Sequence, residues 1–136
     1  MPSDTIAVQL QEWLDTGLPL LRLPEATPVT EVLAPLSARG LEPCTVDLGS
    51  LPDKAALLAA LHQALDLGPW FGFNWDALEE ALYGPEDRAA PERVLVCVGF
   101  QAFHARAATD AEVFLDIVPT VAANPDSNLR GCILLG

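Results

Sequence analysis

The stretch from Gly68 to Gly84 reads GPWFGFNWDALEEALYG, and the interpretation of the whole chain starts from it. Its first half places three large aromatic residues, Trp70, Phe71 and Phe73, in a turn punctuated by glycine and proline. Turns are usually built from small polar residues. An aromatic turn therefore either fills a core or offers apolar surface to a partner.

A short amphipathic helix is predicted to follow this turn. Asn74 offers a side-chain acceptor for the N-cap, and Gly84 suits the left-handed conformation that ends many helices. The face predicted to be buried carries Trp75, Leu78 and Leu82. The opposite face carries Asp76, Glu79, Glu80 and Tyr83. Two interpretations of this acidic face stay open: a solvated face of an acidic protein, or a surface for a cationic partner.

The run from Trp70 to Leu78 resembles the signature of the barstar family, which has an aromatic pair, a glycine, any residue, an asparagine, an apolar residue and Asp-Ala-Leu. Members of that family are small intracellular inhibitors of secreted, barnase-type ribonucleases. The resemblance implies one set of partner-binding residues on this turn and helix. They are Trp70, Phe71, Gly72, Asn74, Asp76, Glu79 and Glu80.

Within this set, Glu80 matches the acidic residue with which the family blocks a phosphate position of the ribonuclease. The family usually has aspartate there, so the extra methylene of Glu80 is a departure. Glu79 is a second departure, because the family often has an aromatic residue before the acidic one. Glu86 and Asp87 are predicted to be rim charges that act on the association rate and its salt dependence.

Composition and charge narrow the class of partner. The chain has 136 residues, enough for a real core, and a formal net charge of −12 from 7 basic and 19 acidic residues. Nucleic acid is a poor partner, because binding it requires neutralising phosphates. A basic protein is a good one, since opposite fields speed association. Without an apolar run of about 18 residues or a basic leader, the sequence predicts a cytoplasmic protein with no membrane partner.

Three short apolar runs define the predicted sheet, at 44–48, 94–98 and 132–135. They are separated by helical patterns, and the last two are apolar on both faces, as in interior strands of a parallel sheet. The sequence therefore predicts an α/β fold: a small three-stranded parallel sheet with helices packed on it. The barstar resemblance implies the same fold.

The first forty residues read as a helix, a short strand and a second helix. We therefore divide the chain into an N-terminal α/β extension at 1–43 and a barstar-like domain at 44–136. The extension could add an edge strand and two helices to the domain, or form a separate docking arm. Two other segments are predicted less sharply: residues 100–108 as a loop or helical turn, and Pro119 as a kink or break in its helix.

No catalytic constellation is found. The sequence has no glycine-rich phosphate loop, and its two histidines, His62 and His104, are far apart. Asp76 and Glu80 fit an exposed charge cluster better than the carboxylate pair of a glycosidase. Three cysteines in or beside apolar runs, none spaced as CxxC, predict buried reduced thiols and no zinc site. These residues are Cys44, Cys97 and Cys132. The sequence thus predicts a protein that is not an enzyme and has no cofactor or metal.

Two functions remain. The first is an intracellular inhibitor that binds and blocks a basic barnase-type ribonuclease or a nuclease-type toxin. The second is a barstar-fold adaptor or immunity-type module whose partner is not a ribonuclease, with the N-terminal extension as its docking element.

Overall fold

The computed structural model describes residues 2–84 and 90–136. These residues form ten helices and strands, which are, in chain order, α1 (Pro2–Thr16), β1 (Leu20–Leu23), α2 (Val29–Ala38), β2 (Glu42–Asp47), α3 (Lys54–Leu65), α4 (Trp75–Leu82), β3 (Arg93–Val98), α5 (Phe100–Arg106), α6 (Ala108–Ala123) and β4 (Leu129–Leu135).

The sheet has four parallel strands in the order β1-β4-β3-β2. The parallel arrangement of β2, β3 and β4 confirms the mixed α/β prediction, but three strands was one too few. The fourth is β1, which pairs with β4 so that Leu20 lies opposite Cys132 and Leu23 opposite Leu135. Without β1 the apolar strand β4 would be an open edge with unpaired backbone groups, which folded proteins avoid.

Helices cover both faces of the sheet, as a parallel sheet with apolar strands requires. On one face α1 and α2 bury a cluster against β3 and β4, made of Ile6, Leu10, Trp13, Leu23, Val32, Leu36, Val94, Val96, Ile133 and Leu135. We call this the α1–α2 face. The other face, the α3–α6 face, carries the remaining helices over a separate cluster that includes Leu61, Leu78, Leu95 and Phe114. Through β1, the N-terminal extension is thus hydrogen-bonded into the sheet. The division of the chain into an extension and a barstar-like domain between residues 43 and 44 stays a prediction.

The two segments that the sequence left uncertain are both helical in the structure. Residues 100–106 form α5, with Phe100 and Phe103 buried. Helix α6 runs through Pro119 without splitting. A proline inside a helix costs about 3 kcal/mol, and the burial of Phe114, Val118 and Val121 on the same helix offsets that cost. Across residues 2–84 and 90–136, no helix has both the length and the apolar character needed to cross a bilayer.

The three cysteines are buried and free, as the sequence predicts. The sulfurs of Cys97 and Cys132 lie 3.9 Å apart on neighbouring strands in the core. Burial, together with the neighbouring Cys132 thiol, raises the pKa of Cys97 well above its ordinary value. Burial also raises the pKa of Cys44. Thiols of this kind behave as apolar core residues and react slowly, because the thiolate is the reactive form.

Candidate protein-binding surface

The start of α4 is fixed by a side-chain cap. The Oδ1 atom of Asn74 accepts the backbone N–H of Ala77 at 2.8 Å, and Asn74 itself has extended backbone angles. Its Nδ2 donates to the carbonyl of Gly72 at 3.3 Å. A Cβ atom at Gly72 would lie 3.2 Å from Nδ2 of Asn74, so a larger residue here would require the Asn74 side chain to shift slightly. Asn74 and Gly72 thus set the direction in which the helix leaves the turn.

The aromatic turn, residues 68–74, divides its rings between the core and the surface. Phe71 is 8% exposed and belongs to the core of the α3–α6 face. Trp70 is 94% exposed and Phe73 is 50% exposed. The exposed apolar surface of the turn is therefore formed by Trp70 and Phe73. Phe71 is a correction to the predicted partner-binding set, because its ring is buried and packs against that of Phe73 at 4.9 Å.

A histidine that the sequence pattern did not connect with the site lies in this cluster. The ring of His62, on α3, is 5.3 Å from that of Phe71 and 5.4 Å from that of Phe73. Its Nδ1 atom is buried without a partner among the described residues. Phe73 has a φ of 52°, a left-handed conformation that costs most residues about 1–2 kcal/mol. In this conformation the Phe73 ring packs edge-on against His62 and at a tilt against Phe71, with ring centroids 4.9 Å apart in the second pair.

The acidic face of α4 is exposed as predicted. Asp76, Glu79 and Glu80 are all exposed, while Leu78 and Leu82 are fully buried. Trp75 is a correction: it is half-buried at the rim of the core, because the first residue of a helix lies at the edge of the buried face. Within residues 2–84 and 90–136, none of the three carboxylates forms an ion pair.

Beside α4 lies an open groove of about 530 Å³ at the amino ends of β2 and β3. Glu80 forms part of its wall, together with Glu42 and Asp66, which are also exposed carboxylates. The guanidinium of Arg93 lies at the base of the groove, 8% exposed, and bonds to Asn128. Arg93 was not identified as a candidate residue from the sequence. The signal that could have indicated it is a charged residue at the first position of an otherwise apolar strand.

The remaining site predictions concern other regions. Glu86 and Asp87, predicted as rim charges, lie outside the described residues. In the described part of the chain, no three His, Cys, Asp or Glu side chains come together as a metal site would require. His104 lies on α5, with its ring 6.0 Å from that of Phe100, and away from the aromatic turn.

Comparison with known proteins assigns the family. A family model described as Barstar (barnase inhibitor) matches residues 41–132, which is more than half of the chain. The chain belongs to the barstar family. The match includes the aromatic turn, α3, α4, β2, β3 and the first half of β4, so the candidate surface lies entirely inside the barstar region.

No curated protein matches the chain. Among solved structures, this barstar-family protein is similar to the ORC2 protein of Aeropyrum pernix, determined as ADPNP–ADP complexes, with 15% identity and a TM-score of 0.64. The similarity covers 97% of this chain and 39% of that one, so the chain spans about two-fifths of the length of ORC2. At this level of identity the comparison concerns the fold alone.

Proposed function

We propose that this barstar-family protein is an inhibitor that binds and blocks a basic barnase-type ribonuclease. The observation that carries the proposal is the rigid, exposed acidic face of α4 beside the exposed ring of Trp70. A ribonuclease cleft holds phosphate with cationic side chains, and a carboxylate can occupy such a position through charge-assisted hydrogen bonds. Opposite fields would also speed the encounter, and the barnase–barstar pair is itself the reference case for that steering.

Glu80 is proposed as the residue that occupies the phosphate position. It lies inside α4, whose start is capped by Asn74 and whose residues Leu78 and Leu82 are fully buried. A carboxylate on such a helix loses less conformational entropy on binding than one on a loop. Asp76 and Glu79 add charge around it, and Trp70 and Phe73 add apolar contact. In this proposal the protein is not an enzyme, uses no cofactor, and acts in the cytoplasm.

The N-terminal extension gives little support to the adaptor alternative. It contributes β1 to the sheet and covers one face of it through Leu10, Trp13 and Leu36, and this packing argues against a separate docking arm. Deleting residues 1–40 would uncover that face, and a loss of binding would then report unfolding. The two functions are better separated by surface substitutions that leave both core clusters intact.

Titration of a basic barnase-type ribonuclease with the purified protein tests the proposal. We expect stoichiometric loss of RNA cleavage, and an association rate that falls steeply as salt rises, because steering between opposite charges is screened. Titrations of a neutral and an acidic ribonuclease serve as controls. Failure to inhibit any basic ribonuclease of this type would contradict the inhibitor proposal.

A further inference from the structure

One buried arginine connects the ends of two helices. The guanidinium of Arg93, the first residue of β3, donates from Nη1 to the carbonyl of Leu65 at 3.2 Å. It also donates from Nη2 to the carbonyl of Leu82 at 3.4 Å, and from Nε to Oδ1 of Asn128 at 3.0 Å. Leu65 is the last residue of α3 and Leu82 the last of α4. The same side chain therefore satisfies carbonyls at two helix C-termini, where unpaired carbonyls and the negative end of the dipole favour a cation.

In the sequence, the carbonyls of Leu65 and Leu82 lie on either side of the candidate surface. Residues 66–82, between them, contain the aromatic turn and all of α4. We propose that Arg93 is a positioning residue for partner binding, which holds both ends of this segment at fixed places on the sheet. The inference rests on the proposed function, because the positioned residues are those assigned to the ribonuclease contact.

The backbone around Arg93 leaves room for its guanidinium group and links the elements that this group contacts. A Cβ atom at Gly84 would lie 2.8 Å from Nη2 of Arg93, and Gly84 has a φ of +83°, so a side chain there would be strained and would displace the guanidinium. Backbone hydrogen bonds link the same elements. The N–H of Asn128 donates to the carbonyl of Tyr83 at 2.8 Å, and the N–H of Arg93 donates to the carbonyl of Asn128 at 2.9 Å.

Arginine is suited to this task in a way that lysine is not. Its planar fork presents five donors at fixed angles and can reach several acceptors at once, whereas an ammonium group is a compact point charge. Arg93 has no carboxylate within ion-pair distance among the described residues, so its charge is balanced by carbonyl dipoles and the Asn128 amide. Without the guanidinium group, the C-terminus of α3 or of α4 would lose its hydrogen bond to residue 93.

The chain offers a matched control on the opposite face of the sheet. Arg130, on β4, donates from Nη1 to the carbonyl of Leu18 at 2.9 Å and from Nη2 to that of Trp13 at 3.0 Å. It also lies 4.3 Å over the Trp13 ring. Arg130 thus holds the end of α1 as Arg93 holds the ends of α3 and α4. No residue of the candidate surface lies between its acceptors.

The experiment compares Arg93→Lys with Arg130→Lys in the full chain. Three quantities are measured: stability in urea, the inhibition constant for a barnase-type ribonuclease, and amide hydrogen exchange in α4 of the free protein. Both variants should lose stability. Only Arg93→Lys should weaken inhibition, by about tenfold or more, through faster dissociation, because most interface variants act on that rate. Exchange in α4 should accelerate in Arg93→Lys alone.

Equal changes of inhibition in the two variants, or unchanged α4 exchange in Arg93→Lys, would overturn the inference. If Arg93→Lys does not fold, Asn128→Ala removes one acceptor of the guanidinium, and a smaller change of the same kind is expected from it. If the wild type inhibits no basic ribonuclease, the proposed function fails. The exchange of α4 amides in the free variants then decides whether Arg93 holds the segment.

Discussion

The two faces of the sheet use tryptophan in opposite ways. On the α1–α2 face Trp13 is 3% exposed, and the guanidinium of Arg130 covers its ring. On the α3–α6 face Trp70 is 94% exposed, although it lies in a turn whose neighbour Phe71 is buried. An exposed tryptophan gains nothing for folding, since burial is what makes a large apolar side chain stabilising. The first face therefore stabilises the fold, whereas the exposed Trp70 on the second face belongs to the surface to which we assign partner contact in the proposed function.

One ion pair also distinguishes the α1–α2 face from α4. On the α1–α2 face Asp15 pairs with Arg39 at 3.2 Å, and Gln11 accepts a hydrogen bond from the same guanidinium. On α4 the carboxylates of Asp76, Glu79 and Glu80 find no cation in the described part of the chain. Surface ion pairs contribute only about 0–1 kcal/mol to stability. Leaving three carboxylates unpaired therefore costs the fold little and places three negative charges on one exposed helix face.

The largest expected effect tests the roles of the two tryptophans. Trp13→Ala should reduce the free energy of unfolding by about 3–5 kcal/mol, because it leaves a cavity under α1. Trp70→Ala should change it by about 0.5 kcal/mol or less, as exposed substitutions do. Equilibrium unfolding in urea measures both values. A comparable loss in the two variants would mean that Trp70 packs against the fold in solution and that the faces do not differ.

A smaller effect sharpens the comparison within the α3–α6 face. Asn74 caps α4 and Asp53 caps α3, each through a hydrogen bond to the N–H three residues later. Replacing either residue by alanine should cost about 1 kcal/mol of stability, the usual value of an N-cap. Only Asn74→Ala should also weaken inhibition of a ribonuclease, because only α4 presents the carboxylates. Urea unfolding and inhibition titrations of both variants check this, and equal inhibition would argue against α4 as the contact.

Much of this fold could be predicted from the sequence, because it rests on local patterns. The apolar runs at 94–98 and 132–135 identify interior strands, and Asn74 with the spacing of Leu78 and Leu82 identifies α4. The strand β1 was predicted as an element, but its place beside β4 was left open. Pairing with a strand more than a hundred residues away leaves no trace in either segment.

The site was harder to predict for the same reason. In the aromatic turn no period shows which ring points inward, and the family resemblance assigned partner contact to Phe71, which is buried, instead of Phe73, which is half exposed. Which ring is buried depends on the left-handed backbone of Phe73 and on the contact of its ring with His62. Arg93 reaches acceptors 11 and 28 residues away, and only the tertiary fold brings them together.

The most direct test of the account compares two single charge removals on opposite faces. Glu80 lies on α4 and Glu12 on α1, and both are exposed helical glutamates. A basic barnase-type ribonuclease is titrated with wild type, Glu80→Ala and Glu12→Ala at the same ionic strength. We predict that Glu80→Ala weakens inhibition by about 2 kcal/mol or more, about thirtyfold in the inhibition constant, whereas Glu12→Ala changes it less than about twofold. Equal effects of the two substitutions would contradict the assignment of binding to the α4 surface.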